Sequence, residues 1–113
     1  MEDIVIKGGE VVDPSSGLHD LMDILIRNGK IAKIGKSIEV KRASVVDASG
    51  MIVSPGLIDL HTHLCDPGFT RREDIRSGSR SAAAGGFTTV VTMPNTEPVI
   101  DNPTIVYYVV ARS

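Results

Sequence analysis

The chain has 113 residues, 12 basic and 14 acidic side chains and a formal net charge of −2, a balance that leaves no footprint for a nucleic acid or an anionic membrane surface. At 42% hydrophobic residues it is expected to fold rather than stay disordered. The lone Cys65 excludes an internal disulfide framework, and no apolar run approaches the roughly 20 residues of a membrane span.

The start, Met1-Glu2-Asp3, is acidic where a secretory leader would be basic, so a cytoplasmic location is expected. From there to about Ser54 the chain reads as short strands and tight turns. Ile4-Val5-Ile6 and Val11-Val12 flank Gly8-Gly9, and Pro14-Ser15-Ser16-Gly17 is a loop. His19 is placed in a polar loop as a solvated side chain. Asp23 to Ile26 and Lys30 to Ile34 are strands joined by Asn28-Gly29, the preferred pair for a type I′ hairpin turn. Ser44 to Asp47 and Met51 to Val53 complete a small antiparallel β unit.

At Pro55-Gly56 the rhythm changes. Leu57 to His63 is a strand, followed by a loop and a helix. Thr70-x-x-Glu73 has the spacing of a capping box. Ile75, Ala82 and Ala83 give the helix an apolar face, and Gly85-Gly86 ends it. Phe87 to Met93 is the next strand, broken by Pro94-Asn95-Thr96. Asn102-Pro103 reads as an N-cap with proline at N1, so Thr104 to Arg112 is assigned to helix despite its β-branched content. Strand, helix, strand, helix implies parallel strands with crossover helices. Two such units leave sheet edges and apolar faces open. A (β/α)₈ barrel needs eight of them and roughly 250 residues. The chain is therefore expected to be the N-terminal part of a longer protein, although a complete small β-α-β-α domain has the same pattern.

Residues two apart on a strand share a face. His61 and His63 should then project together, with Asp59 on their side and Thr62 opposite. Two neutral imidazoles aimed into one space suit a zinc-like ion. Two ligands do not complete a site, and on this pattern alone ordinary surface or hydrogen-bonded histidines are favoured over metal ligands.

The run Pro55-Gly56-Leu57-Ile58-Asp59-Leu60-His61-Thr62-His63-Leu64 resembles the first barrel strand of the amidohydrolase superfamily. Asp66-Pro67-Gly68, Arg72-Glu73-Asp74, the stretch from Ala82 to Thr89 and Met93-Pro94-Asn95-Thr96 resemble the dihydroorotase branch of the cyclic amidohydrolases. This resemblance implies an α/β fold: the first two β/α units of a metal-dependent (β/α)₈ (TIM) barrel over residues 55–113, truncated. Before it, residues 1–54 would be a small antiparallel β-sandwich domain, completed by residues from the far C-terminus. It implies reversible hydrolysis of L-dihydroorotate to N-carbamoyl-L-aspartate in pyrimidine synthesis, with one or two zinc ions that polarise the ring carbonyl and acidify water. His61 and His63 would be metal ligands, and Asn95 would contact the substrate carboxylate. Asp59 would orient a histidine or the metal, or else serve as a buried polar residue that fixes the strand. The catalytic acid–base group and the other ligands would lie beyond Ser113, so the isolated chain is expected to be inactive and poorly soluble.

Cys65 departs from the pattern. The family usually carries there an arginine that clamps the substrate carboxylate in bidentate fashion, which cysteine cannot do. Arg71 or Arg72 could replace it, Asn95 and later residues could suffice, the substrate could lack the carboxylate, or catalysis could be weakened or lost. A Cys65 thiolate could also bind metal, against the plainer reading of a small unreactive residue. Two other functions stay open: a hydantoinase-, dihydropyrimidinase- or allantoinase-like enzyme, and a non-catalytic subunit that scaffolds a partner such as a transcarbamoylase. The partners implied are a small-molecule substrate and either a homo-oligomer or that transcarbamoylase complex, with no nucleic acid and no membrane.

Overall fold

A computed structural model describes residues 2–113; Met1, the first residue of the expected N-terminal domain, lies outside the described residues. The chain divides after Pro55 into two compact units.

The first unit is one five-stranded sheet: β1 (Ile4–Asp13), β2 (Leu18–Arg27), β3 (Lys30–Gly35), β4 (Ser44–Asp47) and β5 (Ile52–Val53). The strands run in the order β3-β2-β1-β4, and β5 also pairs with β1. The expected all-antiparallel pairing is corrected: the sheet is mixed. The hairpin pairs are antiparallel, but β4 and β5 both lie parallel to β1. Their direction is set by the 36–43 connection, which carries the chain back across the unit before β4, a reversal that composition does not reveal.

The two apolar runs expected around Gly8-Gly9 are one strand with an irregularity. Between Ile6 and Gly9 the pairing slips against β2, with Gly8 at φ +69°. Gly9 has no room for a side chain, since a Cβ there would stand 2.5 Å from Val53 Cγ2. The Asn28-Gly29 turn is as expected, with both residues at positive φ (53° and 73°), the requirement of type I′. His19 is corrected from loop to strand. It faces Val12 in the β1–β2 ladder, and its Nε2 lies 2.6 Å from Glu10 Oε1. Val5, Leu25 and Ile38 form the core, with Val40 and Ala43 against them. Each such buried aliphatic contributes about 1.5–3 kcal/mol.

The second unit follows the expected order: β6 (Leu57–Thr62), α1 (Ile75–Ala84), β7 (Phe87–Thr92) and α2 (Pro103–Arg112). β6 and β7 are parallel, as a crossover helix demands. Helix α1 starts later than the Thr70 capping box would place it. Asp74 is the N-cap, and its side chain and that of Ser77 satisfy each other's backbone N–H. Thr70 is unavailable because residues 65–72 are wound into turns, Phe69 N–H to Cys65 O at 2.8 Å and Arg72 N–H to Phe69 O at 2.8 Å. At the other end Gly86 takes the left-handed conformation at φ +83°. Asn102 caps α2 through the Ile105 N–H with proline in its first turn, which holds this β-branched segment as helix. Among the described residues no helix is long and apolar enough to cross a membrane.

Candidate metal and substrate site

The paired strands β6 and β7 end together. Beyond the ladder, the Met93 N–H donates to Thr62 O at 2.8 Å and Thr62 Oγ1 donates to Val91 O at 3.0 Å. This brings the residues that follow each strand side by side: His63 Nδ1 lies 3.1 Å from Asn95 Oδ1. His61 and His63 are also neighbours, with ring centroids 5.2 Å apart and planes at 63°. Both histidines and Asn95 are exposed.

Strict alternation does not hold along β6. The pairing slips between Asp59 and Thr62, where β6 spends three steps against two in β7. Asp59 and Thr62, expected on opposite faces, therefore line the same cleft as His63, together with Gly78 and Ala82 of α1 and Phe87 of β7. The Asp59 carboxylate accepts from the backbone N–H of His61 at 3.0 Å. It thus fixes the strand immediately before the histidine pair.

The loop after β6 is held from two directions. Asp66 is 2% exposed, and its carboxylate accepts from the Tyr108 hydroxyl at 2.8 Å and from Arg112 Nε at 3.0 Å. The contact raises the tyrosine pKa, since ionising Tyr108 would lose a donated bond and set a second negative charge beside the carboxylate. Gly68, at φ +96°, is pressed so tightly on the next loop that a Cβ would stand 2.3 Å from Glu97 O. Thr96, 4% exposed, closes that second loop by donating to Pro98 O at 2.8 Å. Sequence reasoning named the Asp66-Pro67-Gly68 motif but missed Tyr108 and Arg112. Their i, i+4 spacing on one helix face was the available signal.

Cys65 is half-buried at φ +57°, with Sγ 3.5 Å from His63 O. Arg71 is exposed, and the Arg72 guanidinium lies 5.4 Å from the centroid of the Phe69 ring. Among the described residues no three His, Cys, Asp or Glu side chains gather into a metal site. The donor set that is present, two imidazoles at one strand end, fits part of the coordination shell of a borderline divalent ion.

Residues 50–113 match the family model described as dihydro-orotase-like. The chain is 57% identical over 110 residues to a dihydroorotase of Aquifex aeolicus (strain VF5), covering 97% of this chain and 26% of that protein. It is 54% identical over 111 residues to a dihydroorotase of Geobacter sulfurreducens, again covering 97% of this chain and 26% of that one. The chain thus spans about a quarter of the length of the curated relatives it matches. Among solved structures, it is similar to an L-hydantoinase (dihydropyrimidinase) from Arthrobacter aurescens, with a TM-score of 0.77 at 36% identity over 88% of this chain and 22% of that one. A family model that covers more than half of the chain, and relatives that match nearly all of it at this identity, settle the family: this chain belongs to the dihydro-orotase-like family.

Proposed function

We propose that this chain is the N-terminal part of a zinc-dependent dihydroorotase, which opens and closes the L-dihydroorotate ring. The observation that carries the reading is the convergence of His61, His63 and Asn95 at the ends of two parallel strands. In this reading residues 55–113 form the first two strand–helix units of a (β/α)₈ barrel, whose active site belongs at the C-terminal ends of the strands. Residues 1–54 are a separate N-terminal domain.

His61 and His63 would hold the ion, together with donors from other parts of the longer protein. When bound, the ion supplies Lewis-acid polarisation of the cyclic amide carbonyl and a water acidic enough to deprotonate near neutral pH. The Asn95 amide N–H groups bind a carboxylate oxygen of the substrate and orient the ring. Asp59 holds the His61 backbone. The loop clamped by Asp66 and Gly68 keeps the histidine end of β6 in a fixed place.

The second reading, a hydantoinase- or dihydropyrimidinase-like enzyme, is favoured by Cys65, which offers no clamp for a ring carboxylate. The two separate on one assay. The full-length protein that contains this chain is loaded with zinc and offered L-dihydroorotate, hydantoin and allantoin. Ring opening of dihydroorotate alone supports the proposal. Turnover of hydantoin or allantoin without dihydroorotate replaces it with the second reading. Zinc binding with no turnover, or no zinc binding at all, points to a non-catalytic subunit.

A further inference from the structure

We infer that Asn95 positions His63 as well as the substrate: its amide oxygen accepts a hydrogen bond from the Nδ1–H and so leaves the Nε2 lone pair for the metal. The inference rests on the metal-binding reading above. A neutral imidazole carries one N–H and one lone pair, and an amide oxygen can only accept. The 3.1 Å contact between His63 Nδ1 and Asn95 Oδ1 therefore places the ring proton on Nδ1. Metal-ligating histidines are commonly fixed in this way, with the other ring N–H held by an acceptor.

The contact is built into the fold. The strand ends are locked by the Met93–Thr62 backbone bond at 2.8 Å. The residue after Asn95 is the buried Thr96, anchored on Pro98 O. With its oxygen committed to the histidine, the same amide keeps two N–H donors, the polarity that a substrate carboxylate needs. One side chain thus sets a ligand tautomer with one end and binds an anion with the other.

The two ends can be separated by substitution. Asn95→Asp keeps an acceptor for His63 but loses the donors; Asn95→Leu loses both at similar size. The experiment titrates zinc into the metal-free full-length protein against a competing chelator, and measures KM and kcat on the zinc-loaded forms. Asn95→Leu should weaken zinc about 10–100-fold. Asn95→Asp should keep zinc affinity near the wild-type value while KM rises. Wild-type zinc affinity in Asn95→Leu overturns the inference, as does an Asn95→Asp affinity as weak as that of Asn95→Leu. Nitrogen-15 spectra of the metal-free wild type give an answer independent of any variant's folding: the His63 proton should sit on Nδ1, and a proton on Nε2 overturns the assignment. The metal-binding reading fails separately, if the wild type binds zinc no better than His61→Ala.

Discussion

Arg112 Nε lies 3.0 Å from Oδ2 of Asp66, a carboxylate 46 residues earlier whose side chain is 1% exposed. With the Tyr108 hydroxyl on the other oxygen, this contact ties the end of α2 to the loop that follows the histidine pair. A carboxylate this buried needs such partners, because desolvation without them is costly. One tyrosine should therefore ionise above the ordinary value of about 10. An ultraviolet pH titration of the full-length protein should detect it, and Asp66→Asn should bring that titration back down. A double-mutant cycle between Asp66→Asn and Tyr108→Phe should give stability losses that do not add. Additive losses would remove the latch from the account.

Gly68 should tolerate no side chain. Its φ of +96° and the 2.3 Å that would separate a Cβ from a backbone oxygen combine backbone strain with a collision that no rotamer relieves. Gly68→Ala is expected to cost about 2–4 kcal/mol in urea denaturation. Gly78→Ala is the comparison. Its Cβ would meet Leu64 Cδ2 at 2.5 Å, the end of a side chain that can turn, and alanine regains nearly 1 kcal/mol of helix propensity. Gly78→Ala should be the milder variant.

Asp23 links stability to pH. Its oxygens accept from the Gly8 and Ile38 N–H groups, both at 2.9 Å. The Gly8 bond first, then the Ile38 bond and the charge of Lys7, hold its pKa below the ordinary carboxylate value against the opposing effect of burial. A depressed folded pKa contributes stability that is full above the unfolded value. It is lost as pH falls through the folded one. Melting temperature should therefore drop as pH falls below about 4. Asp23→Ala should cost about 2 kcal/mol at neutral pH, because it strands two backbone donors, and should flatten the acid slope.

Cys65→Arg tests the substrate directly. A bidentate arginine–carboxylate pair, worth about 1.5–3 kcal/mol, should lower KM for dihydroorotate by roughly tenfold or more. A fall in hydantoin turnover with no gain on dihydroorotate would instead favour the second reading.

His61→Ala and His63→Ala should each reduce the zinc content of the full-length protein, measured by atomic emission after dialysis. In the proposed reading each imidazole would donate a lone pair to the ion, and water would replace a lost one poorly. Unchanged zinc in both variants would place the ion elsewhere.

Much of this protein is written locally. Asn28-Gly29 sets a hairpin because both residues accept positive φ, and Asn102-Pro103 starts a helix through its cap although the segment is β-branched. The strand–helix–strand–helix order from Leu57 to Arg112 followed from the same short-range rules. His-x-His, Asp66-Pro67-Gly68 and Met93 to Thr96 were legible for the same reason: each is a run of neighbours.

What the chain does over longer distances was decided by tertiary structure. The parallel placement of β4 and β5 depends on how the chain returns across the sheet. The slip between Asp59 and Thr62 depends on what β7 offers opposite, and one inserted residue is enough to overturn a count by twos. The start of α1 moved to Asp74 because the turns before it had already taken Thr70. The Asp66 latch joins residues 42 and 46 positions apart, and the His63–Asn95 contact joins residues 32 apart. Residue type and spacing determine which conformations a segment prefers. Which distant polar group satisfies a buried carboxylate or pairs with a histidine is determined only when packing closes the space between them.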